Sequence, residues 1–242
     1  MNPLIPDWEL PAGIHAASTT REGGVSHPPF DTLNLATHVG DDPAAVAANR
    51  QRLVKDLGLP AEPAWLNQVH GIRVAEAGRE GQEADAVVGR HPGDVCAVLT
   101  ADCLPVLFCD PDRRIIAAAH AGWRGLAAGV LESTLAAMGS EPQAVTAWLG
   151  PGIGPASFEV GEDVVAAFTG DDPAAAAAFR RRDATHWLAD IYDLARLRLE
   201  RAGVAEVTGG GLDTCADSNR FFSYRRDGET GRMACLIWLD GE

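Results

Sequence analysis

Positive charge is scarce in this chain. Twenty Lys and Arg stand against 34 Asp and Glu in 242 residues, a formal net charge of −14, and Lys55 is the only lysine. That balance excludes general affinity for nucleic acid, whose phosphates need a basic surface, and docking on anionic membranes. A phosphate-bearing ligand would need local positive charge. No run approaches the roughly 20 apolar residues of a membrane span. The opening Met1-Asn-Pro-Leu-Ile-Pro-Asp-Trp8 has neither the basic n-region nor the apolar h-region of a secretory leader. Five cysteines form no even set, so reduced thiols in a cytoplasmic protein are expected. Neither CxxC nor HExxH occurs, and none of the seven histidines forms a His-x-His pair. Repeats of 20–50 residues and Pro/Gly/Ser linkers are also missing.

What is present suits a globular core: 46% of residues are hydrophobic and 22% charged. The length fits one domain over 1–242, with sheets packed between helices. Asp42-Pro43 reads as a cap and first-turn proline for a helix through Val46, Leu53 and Leu57, stopped by Gly58. Further helices are predicted over Leu126–Met138, Glu162–Phe168 and Asp190–Ala202, and an Ala-rich one starts near Pro173, ahead of Arg180-Arg-Arg182. Strand-like runs are Val95–Thr100, Pro105–Cys109, Ile115–Ala119, Val145–Leu149, Val204–Thr208 and Met233–Leu239. Several are apolar on both faces, as in sheets covered on each side.

Three segments carry reactive side chains at the edges of such runs: Trp65-Leu-Asn-Gln-Val-His-Gly71, Thr100-Ala-Asp-Cys-Leu-Pro105 and Ala117-Ala-Ala-His-Ala-Gly-Trp-Arg-Gly125. Strand ends fix position while loops give access. His70, Cys103 and His120 would make a zinc set of two imidazoles and one thiolate, with a fourth place open for water. Long spacing carries little weight by itself, and core or surface roles compete for each residue. His15, His27, His38, His91 and His186 read as surface or packing residues, Cys96 and Cys109 as core, and Cys215 as loop or site. Gly150-Pro-Gly-Ile-Gly154 fits either close backbone approach to a ligand or a tight crossover. Asp227-Gly228 suggests a turn, and Arg225, Arg226 and Arg232 around it would suit either an anion or plain solvent.

Together, Asn67-Gln-Val-His-Gly71, Thr100-Ala-Asp-Cys-Leu-Pro105, His120-Ala-Gly-Trp-Arg-Gly125, Gly150-Pro-Gly-Ile-Gly154 and Phe222-Ser-Tyr-Arg-Arg-Asp-Gly228 resemble the laccase-domain family. It is also known as the polyphenol oxidase, peptidoglycan editing factor, or Cys/His-zinc purine nucleoside phosphorylase family. Thr19-Thr-Arg-Glu-Gly-Gly-Val-Ser26, Leu33-Asn-Leu35 and Val39-Gly-Asp-Asp-Pro43 resemble its N-terminal motifs, so the likeness spans nearly the whole chain.

The resemblance implies a single-domain α/β fold of layered α/β/β/α form with mixed sheets, similar to toxin-type cysteine hydrolases. It implies zinc on His70, Cys103 and His120, with copper ranked lower. The implied substrates are purine nucleosides and phosphate: phosphorolysis of adenosine, inosine, guanosine and methylthioadenosine, and deamination of adenosine. Arg21, Arg124 and Arg225 are phosphate candidates, and Asn34 and Gln68, inside the matching motifs, join them as substrate-binding candidates. Asp85 and Asp102 would be the acid or base, or would orient ligands. Competing readings are a cysteine hydrolase or amidase that removes misplaced L-Ser from cell-wall precursors, a copper polyphenol oxidase, and a non-enzymatic module acting on a partner protein of unknown identity.

Overall fold

The computed structural model describes residues 1–241. Strands and helices are numbered in chain order. A three-stranded antiparallel sheet has the order β1 (Ile14–Ser18), β12 (Met233–Leu239), β4 (Val95–Thr100). A six-stranded mixed sheet runs β11 (Glu206–Gly209), β7 (Thr146–Leu149), β5 (Leu104–Asp110), β6 (Ile115–Ala121), β3 (Ala86–Gly89), β2 (Val74–Glu76). Its inner pairs are antiparallel and its two outer pairs parallel.

The apolar runs are continuous because each sheet is covered on both faces, and the strand period of two sorts them. In β4, Cys96 and Val98 face the space between the sheets, while Val95, Ala97 and Leu99 face outward. In β5, Leu107 and Cys109 point into that space, while Leu104, Val106 and Phe108 point to the opposite face. Helix α1 (Pro43–Leu57) covers the small sheet with Leu53. Helices α3 (Val130–Met138) and α5 (Ile191–Ala202) cover the large one. The layers are therefore helix, sheet, sheet, helix, as expected.

Local chemistry sets the helix ends. The Asp42 carboxylate accepts from Ala44 N at 3.0 Å and Pro43 opens α1, as the sequence predicts. Asp190 caps α5 through the Tyr192 and Asp193 amides. Three elements differ from expectation. The helix predicted over Leu126–Met138 is two, α2 (Trp123–Ala128) and α3, because Gly129 sits at φ 100, where the right-handed ladder cannot continue. The Ala-rich run forms a 3₁₀ stretch, Pro173–Ala178, and Arg180 and Arg181 belong to β9 (Phe179–Arg181) rather than to a helix end. That strand joins β8 (Glu159–Val160) and β10 (Trp187–Ala189) in a small sheet beside α4 (Glu162–Thr169). The turn expected at Asp227-Gly228 is the end of a short helix, α6 (Tyr224–Asp227).

Thr100 ends β4 in one sheet and Leu104 begins β5 in the other. The intervening Ala101-Asp-Cys103 is thus the seam between sheets, and Asp102 takes φ 89 to make the switch. Among the described residues no helix is long and apolar enough to cross a membrane.

Candidate metal centre and cleft

Three separate pieces of chain converge at that seam. His120 lies near the end of β6, 3% exposed. Cys103 lies on the crossover. His70 sits on the preceding loop at φ 61, a conformation disfavoured for a residue with a side chain. One buried carboxylate holds this turn. Asp85, immediately before β3, accepts from the Val69, His70 and Gly71 amides at 3.2, 2.8 and 2.6 Å. Its Oδ1 also lies 2.9 Å from His120 Nδ1. A carboxylate at this position accepts, so Nδ1 carries the proton and Nε2 is the nitrogen left to face the cleft. The same residue therefore fixes the backbone of one donor and the ring of another.

The Cys103 sulfur lies 3.8 Å from His70 Nε2, and the three donor atoms all fall within 4.8 Å of one another. Tetrahedral zinc with bonds of about 2.0–2.3 Å places its ligands about 3.3–3.6 Å apart. The set fits that ion after a contraction of about 1 Å at its widest pair. Gly122 leaves the necessary room: a Cβ there would stand 2.9 Å from Cys103 Sγ and 2.9 Å from His70 Cδ2. Among the described residues this is the one group of three or more metal-competent side chains.

The charge environment agrees. Burial opposes ionisation of the Cys103 thiol, yet the neighbouring imidazoles, His120 foremost, outweigh it and bring the group down to about 6. Burial likewise opposes the His120 imidazolium, but the Cys103 thiolate and the Asp85 carboxylate raise it to about 9. Near neutral pH both shifts favour the thiolate–imidazolium form of the pair over the neutral one. A metal displaces the imidazolium proton.

Two connected lobes open above these donors. The first, about 480 Å³, is lined by His38, Gln68, Thr100, Tyr224 and Arg232 around the three donors. The second, about 300 Å³, has walls of Trp123, Ile153, Phe158 and Ile191, with Arg124 and Arg225 at its edge. His70, Cys103 and Tyr224 border both.

The other sequence candidates divide clearly. Arg124 and Arg225 reach the second lobe, and Gln68 the first. The Gln68 amide is also paired like a strand residue with the Leu99 backbone, both contacts being 2.8 Å. Arg21 is away from the lobes, bound to the Asp31 and Ser218 carbonyls and the Asp31 carboxylate. Asn34 is fully buried and bonds to Ala36, Asp41 and the Arg232 amide. The Asp102 carboxylate accepts from Thr214 Oγ1, Ser223 Oγ and Arg225 N at 2.7, 3.0 and 2.7 Å, tying α6 to the Cys103 seam. Arg226 is spent on the Thr214, Cys215 and Phe221 carbonyls. The Gly150–Gly154 loop packs tightly against Pro105, Leu104 and Asp213, and places Ile153 in the second lobe. Tyr224 was not singled out from the sequence, and His38 read as plain surface. Tyr224 is carried to the cleft by α6, which Asp102 holds from far along the chain, and both residues line the first lobe.

A family model described as multi-copper polyphenol oxidoreductase laccase matches residues 15–240. The chain is 52% identical over 239 residues to purine nucleoside phosphorylase YfiH of Escherichia coli, covering 98% of each. It is likewise 52% identical over 238 residues to purine nucleoside phosphorylase PA4543 of Pseudomonas aeruginosa, again covering 98% of each. Among solved structures, Neisseria meningitidis protein NMB0706 superposes with a TM-score of 0.95 at 51% identity over 100% of both chains. YlmD from Geobacillus stearothermophilus gives 0.89 at 31% identity, covering 95% of this chain and 93% of that one.

Proposed function

This chain belongs to the multi-copper polyphenol oxidoreductase laccase family, and from that footing we propose that it is a zinc-dependent purine nucleoside enzyme. It phosphorolyses adenosine, inosine, guanosine and methylthioadenosine and deaminates adenosine. The observation that carries the reading is the convergence of His70, Cys103 and His120 on the floor of a two-lobed cleft with arginines in both lobes. Relatives 52% identical over nearly their whole length, named purine nucleoside phosphorylases, support it.

In this reading His70, Cys103 and His120 hold the zinc, which supplies Lewis acidity at the cleft floor. The protein's own part is orientation and charge. Asp85 aims His120 and shapes the His70 turn; Asp102 anchors α6, and with it Tyr224 and Arg225, over the centre. Both carboxylates are engaged by hydrogen bonds and act as positioning groups. Arginine guanidinium offsets the charge of phosphate as one of its oxygens bonds to C1′ of the ribose. The C1′–N bond breaks as that bond forms, and the purine leaves with the bonding pair and takes up a proton. The apolar second lobe keeps water from competing. Deamination instead joins a water oxygen to C6 of adenine as the C6–amine bond breaks; one water proton leaves with the amine as ammonia and the other ends on N1 of the inosine formed.

One observation favours a second reading. Cys103, His120 and Asp85 follow one another as nucleophile, base and orienter do in a cysteine hydrolase. A metal-free enzyme of that kind would act on amide bonds of cell-wall precursors. The copper in the family's description is less well served. A multicopper centre needs several donor clusters, whereas thiolate plus imidazoles would hold a single ion.

Incubating zinc-loaded protein with adenosine, with and without phosphate, tests the proposal. Phosphate-dependent adenine and ribose 1-phosphate are expected, with inosine marking deamination. Neither product, with one zinc per chain verified, would refute the nucleoside reading. Release of L-Ser from a precursor peptide by metal-free protein would establish the second.

A further inference from the structure

The two lobes differ in chemistry, and the difference assigns the substrates. We infer that the Arg232–His38 lobe seats the phosphate co-substrate and the Trp123–Phe158 lobe seats the purine, so that the ribose C1′ lies between them above Cys103 and His70. This deepens the phosphorylase reading and rests on it.

A protein with a net charge of −14 repels free phosphate unless it concentrates positive charge locally. Arg232 does so. Its guanidinium is partly buried in the first lobe, and Nη1 is held by the Thr230 and Gly231 carbonyls at 2.8 and 3.0 Å. Among the described residues Nε and Nη2 donate to nothing, and no carboxylate pairs with this arginine. A half-buried cation is costly when the negative charges acting on it, Cys103 and Asp102, make no direct pair with it, and the free Nε/Nη2 edge is the fork that grips a phosphate through two parallel hydrogen bonds. Arg50 adds a second positive charge on the His38 side of the lobe. Burial disfavours the His38 imidazolium, and the charges of Arg232 and Arg50 push in the same direction.

The second lobe is of another kind. Its cations stand beside apolar walls: the Arg124 guanidinium is 4.5 Å above the Trp123 ring, and that of Arg225 is 5.8 Å from Phe158. Arg225 also donates to the Glu159 carbonyl at 2.8 Å. Trp123, Phe158, Ile153 and Ile191 offer flat apolar surface suited to stacking a base. Tyr224, 62% exposed, stands where the lobes meet, with the Arg232 guanidinium 5.8 Å from its ring.

The test separates binding from turnover. Inorganic phosphate is titrated calorimetrically into zinc-loaded wild type and into Arg232→Gln, Arg232→Lys, Arg124→Gln and Arg225→Gln, each with its melting temperature checked. KM for phosphate and for inosine is measured on the same proteins. Arg232→Gln is expected to weaken phosphate about 10- to 100-fold in both Kd and KM, the cost of a lost charged hydrogen-bond pair, while KM for inosine moves less than about 3-fold. Arg232→Lys, which keeps the charge but not the fork, is expected to fall between, and it decides the matter if the Gln variant fails to fold. Phosphate binding lost in Arg124→Gln or Arg225→Gln but kept in the Arg232 variants would overturn the assignment. So would equal shifts in both KM values, or a wild type that binds no phosphate. If wild type binds phosphate through Arg232 yet yields no ribose 1-phosphate, the phosphorylase reading fails and the anion lobe stands.

Discussion

The space between the two sheets and the seam that joins them hold the same residue type in opposite chemical states. Cys96, Cys109 and Cys235 lie in the inter-sheet core. Burial pushes all three thiols upward: Cys109 to about 12, and Cys96 and Cys235 well above the usual range. Cys103, a few residues from the ends of the same strands, is brought down to about 6 by its imidazole neighbours. Apolar packing holds a thiol protonated and inert, and two neighbouring imidazoles favour the thiolate, the form that ligates metals and attacks electrophiles. What distinguishes the seam is that the chain breaks its strand there, so that loops carrying His70 and Gly122 close on Cys103.

The sharpest way to break this contrast is to delete sulfur on each side. Cys103→Ala should lose zinc under chelator challenge and lose turnover by more than about 100-fold, beyond the range typical of groups that merely orient ligands. Cys96→Ala should keep both and lose about 1 kcal/mol of stability through a small cavity. Equal zinc content in the two variants would erase the distinction. Gly122→Ala tests the room at the seam without touching a donor. Its methyl would collide with Cys103 Sγ and His70 Cδ2, so zinc occupancy should drop severely while urea unfolding shows a folded protein. Asp85→Asn comes next in size. It keeps the shape but weakens the hold on His120 and the His70 turn, and zinc affinity by competition with a chelator should fall about 10- to 100-fold. A purely structural role would lower the unfolding midpoint and leave zinc affinity alone.

The core side of this comparison was legible in the sequence because it is local. Val95–Thr100, Ile115–Ala119 and Met233–Leu239 announce covered strands by unbroken apolarity. Ile14–Ser18 carries no such signal because His15, which stacks on Trp238, interrupts its apolar run. The 3₁₀ stretch at Pro173–Ala178 defeated helix propensity because Phe179–Arg181 pairs with β10 and the chain must straighten to reach it. At the seam, the three donors stood out as reactive residues at strand ends. Tyr224 and Arg232 could not be placed so simply, since their position comes from distant partners: Asp102 gripping Ser223, and Asn34 gripping the Arg232 amide. Short-range pattern marks what is buried. Which exposed arginine meets a cleft is decided by contacts between segments, and no period in the sequence encodes them.

Core and seam should part again in the dependence of metal-free stability on pH. Cys103 titrates near 6 in the folded state against an ordinary 9.0, so its stabilisation is complete above 9 and is lost as pH falls toward 6. His120 titrates near 9 against an ordinary 6.5, so its stabilisation is complete below 6.5 and is lost as pH rises toward 9. The two slopes cancel across that window, because folding only moves one proton from sulfur to nitrogen. The core thiols have no such partner. Above about 9 the unfolded chain sheds their protons and the folded chain retains them, so each costs about 1.4 kcal/mol per pH unit, and for Cys109 this continues to about 12. Urea midpoints at pH 7, 8.5 and 10 should therefore stay nearly level over the first interval and fall over the second. Cys109→Ala should remove its share of the fall. A Cys109→Ala protein that loses stability above pH 9 as steeply as wild type would mean that this thiol ionises freely, and that the inter-sheet core does not exclude charge as its packing requires.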